Sequence, residues 1–343
     1  MGSSESGNLV VQVDTRNIQA GNEITGVVHF QLRRQTRAES LVLKLAGTEY
    51  CYWEETTTKT DSDGAESTLT TEYEGNSSVV EQLYHLFLFQ DSQVLQGQYS
   101  FPFRLSTAAS LPGSFEFTSE ATNAHIRYHL SAFLYNSRAN IQCVQTSICL
   151  TKCMSEAIVG LQDSTSARIC TWCCLGKGEV QLSVRVNKSA YVPGETAYVE
   201  VDVDNSRSRL DLHGIKASLS RTIRLRANNG ATNICKGKIS RGYSGQLVAA
   251  GQGSTTLHLS LSIPHDSTQN TTSLQGEHIE CQYTLSVKAA MDGLCMWCGR
   301  APSVSRQVTI YPVQLPTPMP PQAPANWNPL VMPLVQLLSA PEY

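Results

Sequence analysis

Apolar and polar residues alternate over short runs along most of the chain, the runs are separated by Gly, Pro, Asn and Ser, and no stretch holds a helical period. Val28, Phe30 and Leu32 interleave with Val27, His29 and Gln31, the two-residue period of a half-buried strand. In the first half the pattern predicts strands at residues 9–13, 23–32, 40–53, 78–89, 97–105 and 126–136. In the second half it predicts seven, at 179–186, 196–203, 212–226, 234–240, 255–263, 278–290 and 303–313, the complement of a seven-stranded antiparallel sandwich. Between the third and fourth segments, residues 54–77 form a polar run of Thr, Ser, Glu, Asp and Gly, which reads as a solvated hairpin extension. Residues 151–167 have mixed polarity, and alternation resumes at Gly178 after a cysteine-rich stretch, so the boundary between two domains is placed there.

Length agrees with that division, since 343 residues with 41% hydrophobic content exceed one sandwich. The expected organisation is a flexible terminus at 1–8, a first sandwich with linker at 9–168, a second at 169–313 and a tail at 314–343. The tail is rich in proline and has neither Lys nor Arg, but its end, from Leu330 to Leu338, is apolar. A formal net charge of −3 and a pI near 6.2 leave no global footprint for nucleic acid. No run of about 18 apolar residues occurs and the N-terminus has no signal-peptide pattern, so a cytoplasmic protein is expected. Eleven cysteines, an odd number, then argue for thiols and metal ligands over a disulfide framework.

Several segments carry a family likeness. The strand 180–186 is followed by Ala190-Tyr191-Val192-Pro193-Gly194-Glu195, in which Pro193 presets φ and Gly194 supplies positive φ, a type II turn that launches the next strand. Ala20-Gly21-Asn22-Glu23 repeats the device in the first half. In order along the chain come Leu43-Lys44-Leu45-Ala46-Gly47-Thr48-Glu49, Tyr99-Ser100-Phe101-Pro102-Phe103-Arg104-Leu105, Leu111-Pro112-Gly113-Ser114-Phe115, and Ile126-Arg127-Tyr128-His129-Leu130-Ser131-Ala132. Asp204-Asn205-Ser206-Arg207-Ser208 and Cys281-Gln282-Tyr283-Thr284-Leu285-Ser286-Val287 complete the set. Together they resemble the arrestin family, and its α-arrestin (arrestin-domain-containing) branch in particular. The resemblance implies an all-β chain of two tandem antiparallel immunoglobulin-like β-sandwiches. It implies a non-enzymatic adaptor or scaffold whose concave faces engage membrane-protein cargo or receptors. It further implies links to trafficking or ubiquitination machinery and peripheral membrane association at plasma membrane or endosomes.

Cys170-Thr171-Trp172-Cys173 and Cys295-Met296-Trp297-Cys298 form two C-x-x-C pairs, a spacing that presents four thiolates to a structural zinc ion. Strand parity puts both pairs at one end of the second sandwich, which makes Cys170, Cys173, Cys295 and Cys298 the candidate ligands and Cys174 a reserve. The alternatives are buried small apolar residues and a thiol redox pair, the latter without the helix N-terminus that would depress a thiol pKa. Cys51, Cys143, Cys149, Cys153, Cys235 and Cys281 read as core or surface thiols.

Met1-Gly2-Ser3-Ser4-Glu5-Ser6 matches the pattern for myristoylation of Gly2. The chain ends Ala340-Pro341-Glu342-Tyr343, near the Pro-Pro-x-Tyr signal by which α-arrestins recruit WW-domain ubiquitin ligases, so Pro341 and Tyr343 are candidate partner contacts. Leu330, Val331, Leu334, Val335, Leu337 and Leu338 suit docking on the first sandwich as an added strand, with Pro333 restricting it to an edge or a break. Arg221, Arg224 and Arg226, with Arg33, Arg34 and Arg37, are local basic clusters for phosphate or anionic lipid, against a solvated strand face as the plainer reading. The eight histidines form no H-E-x-x-H or triad setting. The rival functions are an endosomal coat subunit resembling retromer's arrestin-fold component, and a thiol redox protein.

Overall fold

The computed structural model describes residues 7–60, 66–136, 139–152, 159–171, 175–265, 269, 271–294, 300–312 and 328–337. Its regular structure is β throughout, apart from one turn of 3₁₀ helix at Gln90–Ser92. The first sandwich begins with β1 (Gly7–Val13), β2 (Asn17–Gln19), β3 (Glu23–Leu32), β4 (Thr36–Arg37), β5 (Ser40–Thr60) and β6 (Glu66–Leu88). It continues with β7 (Gln93–Val94), β8 (Gly97–Ser106), β9 (Phe115–Ser119), β10 (Thr122–Asn136) and β11 (Ala139–Thr151). One sheet runs in the order β1, β3, β8; the facing sheet runs β2, β11, β10, β5, β6, with β9 beside β10.

The second sandwich contains β12 (Leu161–Thr171), β13 (Leu175–Val186), β14 (Ala190–Tyr191), β15 (Thr196–Asp204) and β16 (Gly214–Arg226). Its remaining strands are β17 (Thr232–Ser244), β18 (Thr255–Ser262), β19 (Leu274–Gln275), β20 (Ile279–Ala290) and β21 (Ser303–Ile310). Its sheets run β12, β13, β15, β18 and β14, β21, β20, β16, β17. Two short tail strands, β22 (Leu330–Val331) and β23 (Val335–Leu337), return to the first sandwich and pair in parallel with β8.

The apolar alternation becomes core as its period requires. Val28, Phe30, Phe101 and Phe103 face Leu41, Leu43, Leu45, Leu130 and Leu134 across the first sandwich, all buried. Phe30 stacks on Phe101 and on Tyr99 with centroids 5.4 and 4.8 Å away. Gly47 lies opposite Tyr128 in the register, where a Cβ would stand 2.5 Å from the ring. The ring therefore crosses the backbone and its hydroxyl donates to the Pro112 carbonyl at 2.7 Å, tying three of the recurring segments into one contact.

The two launch turns form as the residues predict. Gly194 has φ +95° and Glu195 N–H donates to the Val192 carbonyl at 3.0 Å; Gly21 has φ +91° and Asn22 N–H donates to Gln19. Glu195 adds to its turn by accepting from Val192 N–H at 2.9 Å and from Lys188 Nζ at 2.7 Å, which hold its carboxyl below the ordinary range.

The polar run after Trp53 is a ribbon of β5 and β6, exposed on both faces beyond the Trp53–Tyr73 stack. Residues 161–167, expected in the linker, instead form most of β12, paired with β13 from Leu161 to Thr171. The second sandwich thus takes in residues ahead of 169. Polarity hides this strand because it is an edge with only Ile169 buried.

Candidate functional site

Alternation continues down β5 through Gly47, Glu49, Cys51 and Trp53, all on the inward side, and Glu49 is the one charge in that run. A carboxylate on an apolar face must find partners or remain neutral. Glu49 finds them in the other sandwich. The N–H groups of Glu277, His278 and Ile279 donate to its carboxylate at 3.0, 2.9 and 2.6 Å, and the side chain is 2% exposed. Three successive N–H groups aimed at one anion form a backbone nest. Gly276 opens that nest, since a Cβ there would stand 2.4 Å from Glu49 Oε1.

The same joint extends along β6. A Cβ on Gly75 would meet the Arg226 carbonyl at 2.4 Å, so glycine lets β6 approach the end of β16. The Arg226 carbonyl accepts from Cys51 Sγ at 3.5 Å and lies 2.8 Å from His278 Nδ1. Burial pushes the Cys51 thiol up to about 11, so it serves as a neutral donor. Asn228 completes the edge: its N–H donates to Glu74 at 2.9 Å and its Oδ1 accepts from Asn76 N–H at 3.2 Å. A second patch has Arg221 5.1 Å over the Phe117 ring and Gln269 Nε2 donating to the Thr118 carbonyl at 3.0 Å.

At the opposite edge of the first sandwich, Leu330 and Val331 pair with Tyr99 and Ser100, and Val335 to Leu337 pair with Phe103 to Leu105. Pro333 falls in the break between β22 and β23, where its missing N–H leaves no ladder bond unmade. Asn328 N–H donates to Gln98 Oε1 and Met332 N–H to the Ser100 carbonyl, both at 2.9 Å. Only Leu337 is buried; Leu330, Val331 and Leu334 stay 62%, 65% and 58% exposed. The expected added strand is therefore present, in two pieces.

Of the candidate zinc ligands, Cys170 is a free, partly buried thiol in β12, opposite Gly176, so it sits near the end of that strand, within the second sandwich, and not ahead of a first strand. Cys173, Cys295 and Cys298 lie outside the described residues, as do Gly2, Pro341 and Tyr343. The strands around the cysteines adjoin one segment. Arg209 N–H donates to the Lys177 carbonyl at 2.7 Å, and His213 N–H donates to the Ala290 carbonyl at 2.8 Å. Among the described residues no group of three or more His, Cys, Asp or Glu is placed to hold a metal. Of the six expected thiols, Cys51 and Cys281 are buried and Cys149 and Cys235 partly buried, and burial raises all four, Cys281 to about 12; Cys153 and the side chain of Cys143 lie outside what is described.

The two candidate basic clusters stay in separate sandwiches, and the plainer reading of a solvated strand face describes Arg224 and Arg226, both exposed along β16. Arg221 points into the joint, Arg224 pairs with Glu280 at 2.8 Å, and Arg33, Arg34 and Arg37 lie exposed beside β4 in the other sandwich. No described helix is long and apolar enough to cross a membrane. Sequence reasoning gave Glu49 no role, although one acid in the inward register of an apolar strand was the signal that marks it.

Comparison with known proteins follows the same division. Residues 10–155 match the family model for the arrestin (or S-antigen) N-terminal domain, and residues 176–315 match that for the C-terminal domain. The arrestin domain-containing protein A of Dictyostelium discoideum is 23% identical over 204 residues, 57% of this chain and 34% of that protein. The chain thus spans about a third of the length of that relative.

Proposed function

This chain belongs to the arrestin family, whose members are non-enzymatic adaptors, and we propose that it couples membrane-protein cargo to ubiquitination machinery through its C-terminal tail. The observation that carries this reading is the tail strand. Leu337 is fixed beside Leu105, and Tyr343 follows six residues later, within at most about 20 Å of extended chain. A WW domain bound at Pro341 and Tyr343 would be held against the first sandwich, close to any cargo on it. The test is capture of purified WW domains by the full chain, with and without Tyr343→Ala. Loss of capture in the variant is expected, and equal capture would overturn the ligase assignment. Gly2 acylation would add reversible membrane attachment, read as a mass increase on the intact protein.

The zinc reading is proposed on the same terms: Cys170, Cys173, Cys295 and Cys298 hold one structural zinc that clips the β12–β13 hairpin to the connection after β20. Support comes from the shared segment between Arg209 and His213, which adjoins both ends. Four thiolates suit zinc, and the ion would supply folding energy there. Metal analysis with a thiol count should find about one zinc and four protected cysteines, falling together in Cys170→Ser. A reversible disulfide with no metal would favour the redox alternative.

A further inference from the structure

An open sheet edge is a template for another strand, and folded proteins protect such edges. Here β8 is covered by β22 and β23. The β1 edge is tied to β11, where Thr146 Oγ1 donates to the Val11 carbonyl at 3.1 Å. The β17 edge carries Lys236, Lys238 and Arg241, and β18 lies under β17, close enough that a Cβ on Gly242 would stand 3.0 Å from the Ser260 carbonyl. The β12 edge is polar almost throughout and opens with the Asp163–Arg306 ion pair.

The lower half of β6 differs from all of these. Its only strand partner is β5, and no described strand lies on its other side. Leu83 and Leu88 are 58% and 70% exposed, and Val80, Tyr84 and Phe87 are half-buried beside them. There is no Pro or Lys along Glu66–Leu88. Register shifts at Leu41/Val42 and Gly47/Thr48 leave Val79 and Leu86 as the extra residues on β6, so the stretch between them runs straight. Glu81 and the imidazole of His85 are on the same outward side as Leu83.

We propose that this stretch is a homodimer edge, pairing antiparallel with β6 of a second copy about a twofold axis at Leu83. Directly opposed residues share a sheet face, so only registers centred on a residue keep both copies the same way up. Centring on Glu81 opposes two carboxylates. Centring on Gln82 sets Glu81 against Leu83, and centring on Tyr84 sets Leu83 against His85. At Leu83 the leucines oppose each other, Gln82 meets Tyr84, and Glu81 of one copy meets His85 of the other. Glu81 then lies between that imidazole and Lys44 of its own sheet, and His85 brings Nε2, its Nδ1 being 3.0 Å from Ser40 Oγ. A single pair of short strands buries less than a standard interface of about 1,600 Å², so the dimer dissociates in the micromolar range and not the nanomolar.

The test uses the full chain. Residues opposed across the axis have Cβ atoms about 5 Å apart, so Leu83→Cys should form an interchain disulfide at tens of micromolar chain. It should do so at least about tenfold faster than Leu88→Cys and above the background of the natural cysteines. Sedimentation should show a concentration-dependent dimer that Leu83→Lys abolishes, while the monomer stays folded with its midpoint only slightly lowered, because position 83 is exposed but faces Lys44 in the register. A chain that stays monomeric up to about 100 µM overturns the proposal. So does a dimer that survives Leu83→Lys, or crosslinking no faster at 83 than at 88.

Discussion

The joint between the sandwiches and the docking of the tail both attach one part of the chain to another, yet they use different materials. At the joint a carboxylate 2% exposed receives three N–H groups, and Gly75 and Gly276 stand where any Cβ would collide. At the tail five paired residues hold to β8, and three of the large apolar side chains in the segment remain mostly in solvent. Ordering the tail costs backbone entropy at every residue, and the return is ladder hydrogen bonding along β8 and the burial of Leu337 alone, so the tail is weakly held. The joint is not, because opening it leaves a buried anion and its donors to find new partners. One attachment fixes the relation of the two sandwiches; the other is suited to exchange.

The largest effect should come from removing the anion. Glu49→Ala orphans three donors at the joint and should cost about 3–5 kcal/mol of coupling between the sandwiches. Calorimetry should then resolve two unfolding transitions where the parent shows one. Gly276→Ala tests the same nest from the other side, and its forced displacement of Glu49 should cost about 1–3 kcal/mol. If both variants unfold like the parent, the joint is no stronger than the tail and the contrast fails.

The tail comes next. Leu337→Asp buries a charge against β8, so the segment should detach at a cost to the first sandwich below about 2 kcal/mol. Limited proteolysis after residue 328 should quicken about tenfold or more, with the joint's protection from hydrogen exchange unchanged. Coupled loss of both would mean that one attachment governs the other.

Much of this was legible in the residues, for reasons that differ by element. Val192–Glu195 and Gln19–Asn22 are local turns whose chemistry is complete within four residues, and their glycines adopt the positive φ that the pattern demands. The tail strand was legible because its apolar residues and Pro333 state both the docking and its break. β12 was not, because an edge strand buries one residue in eleven and leaves no alternation to read. Glu49 was visible as an anomaly but had no partner in sequence, since its donors lie more than two hundred positions away and are backbone atoms that every residue possesses. The arginines of β16 divide for a local reason: Arg221 and Arg224, three positions apart, fall on opposite faces of the strand, and only Arg224 and Arg226 share the exposed one.

Acid offers the smallest and most selective perturbation. His29 ties the sheet that carries the tail, with Nδ1 2.7 Å from Ser100 Oγ and Nε2 3.1 Å from Gln12 Oε1. Burial lowers its pKa from 6.5. The unfolded chain therefore binds the proton first, so this contribution is complete above about pH 6.5 and is lost as pH falls toward the lowered folded value. His125 and His129 are lowered in the same direction in the facing sheet, so the measurement must be a difference. The pH 7-to-5 fall in first-sandwich stability should be shallower in His29→Gln than in the parent, and acid should quicken cleavage of the tail in the parent alone. Because Ser100 also accepts the Met332 N–H through its carbonyl, protonating His29 disturbs the residue the tail rests on while leaving the Glu49 nest untouched. Equal acid sensitivity in parent and variant would remove His29 from the tail's support and leave β8 pairing alone to hold it.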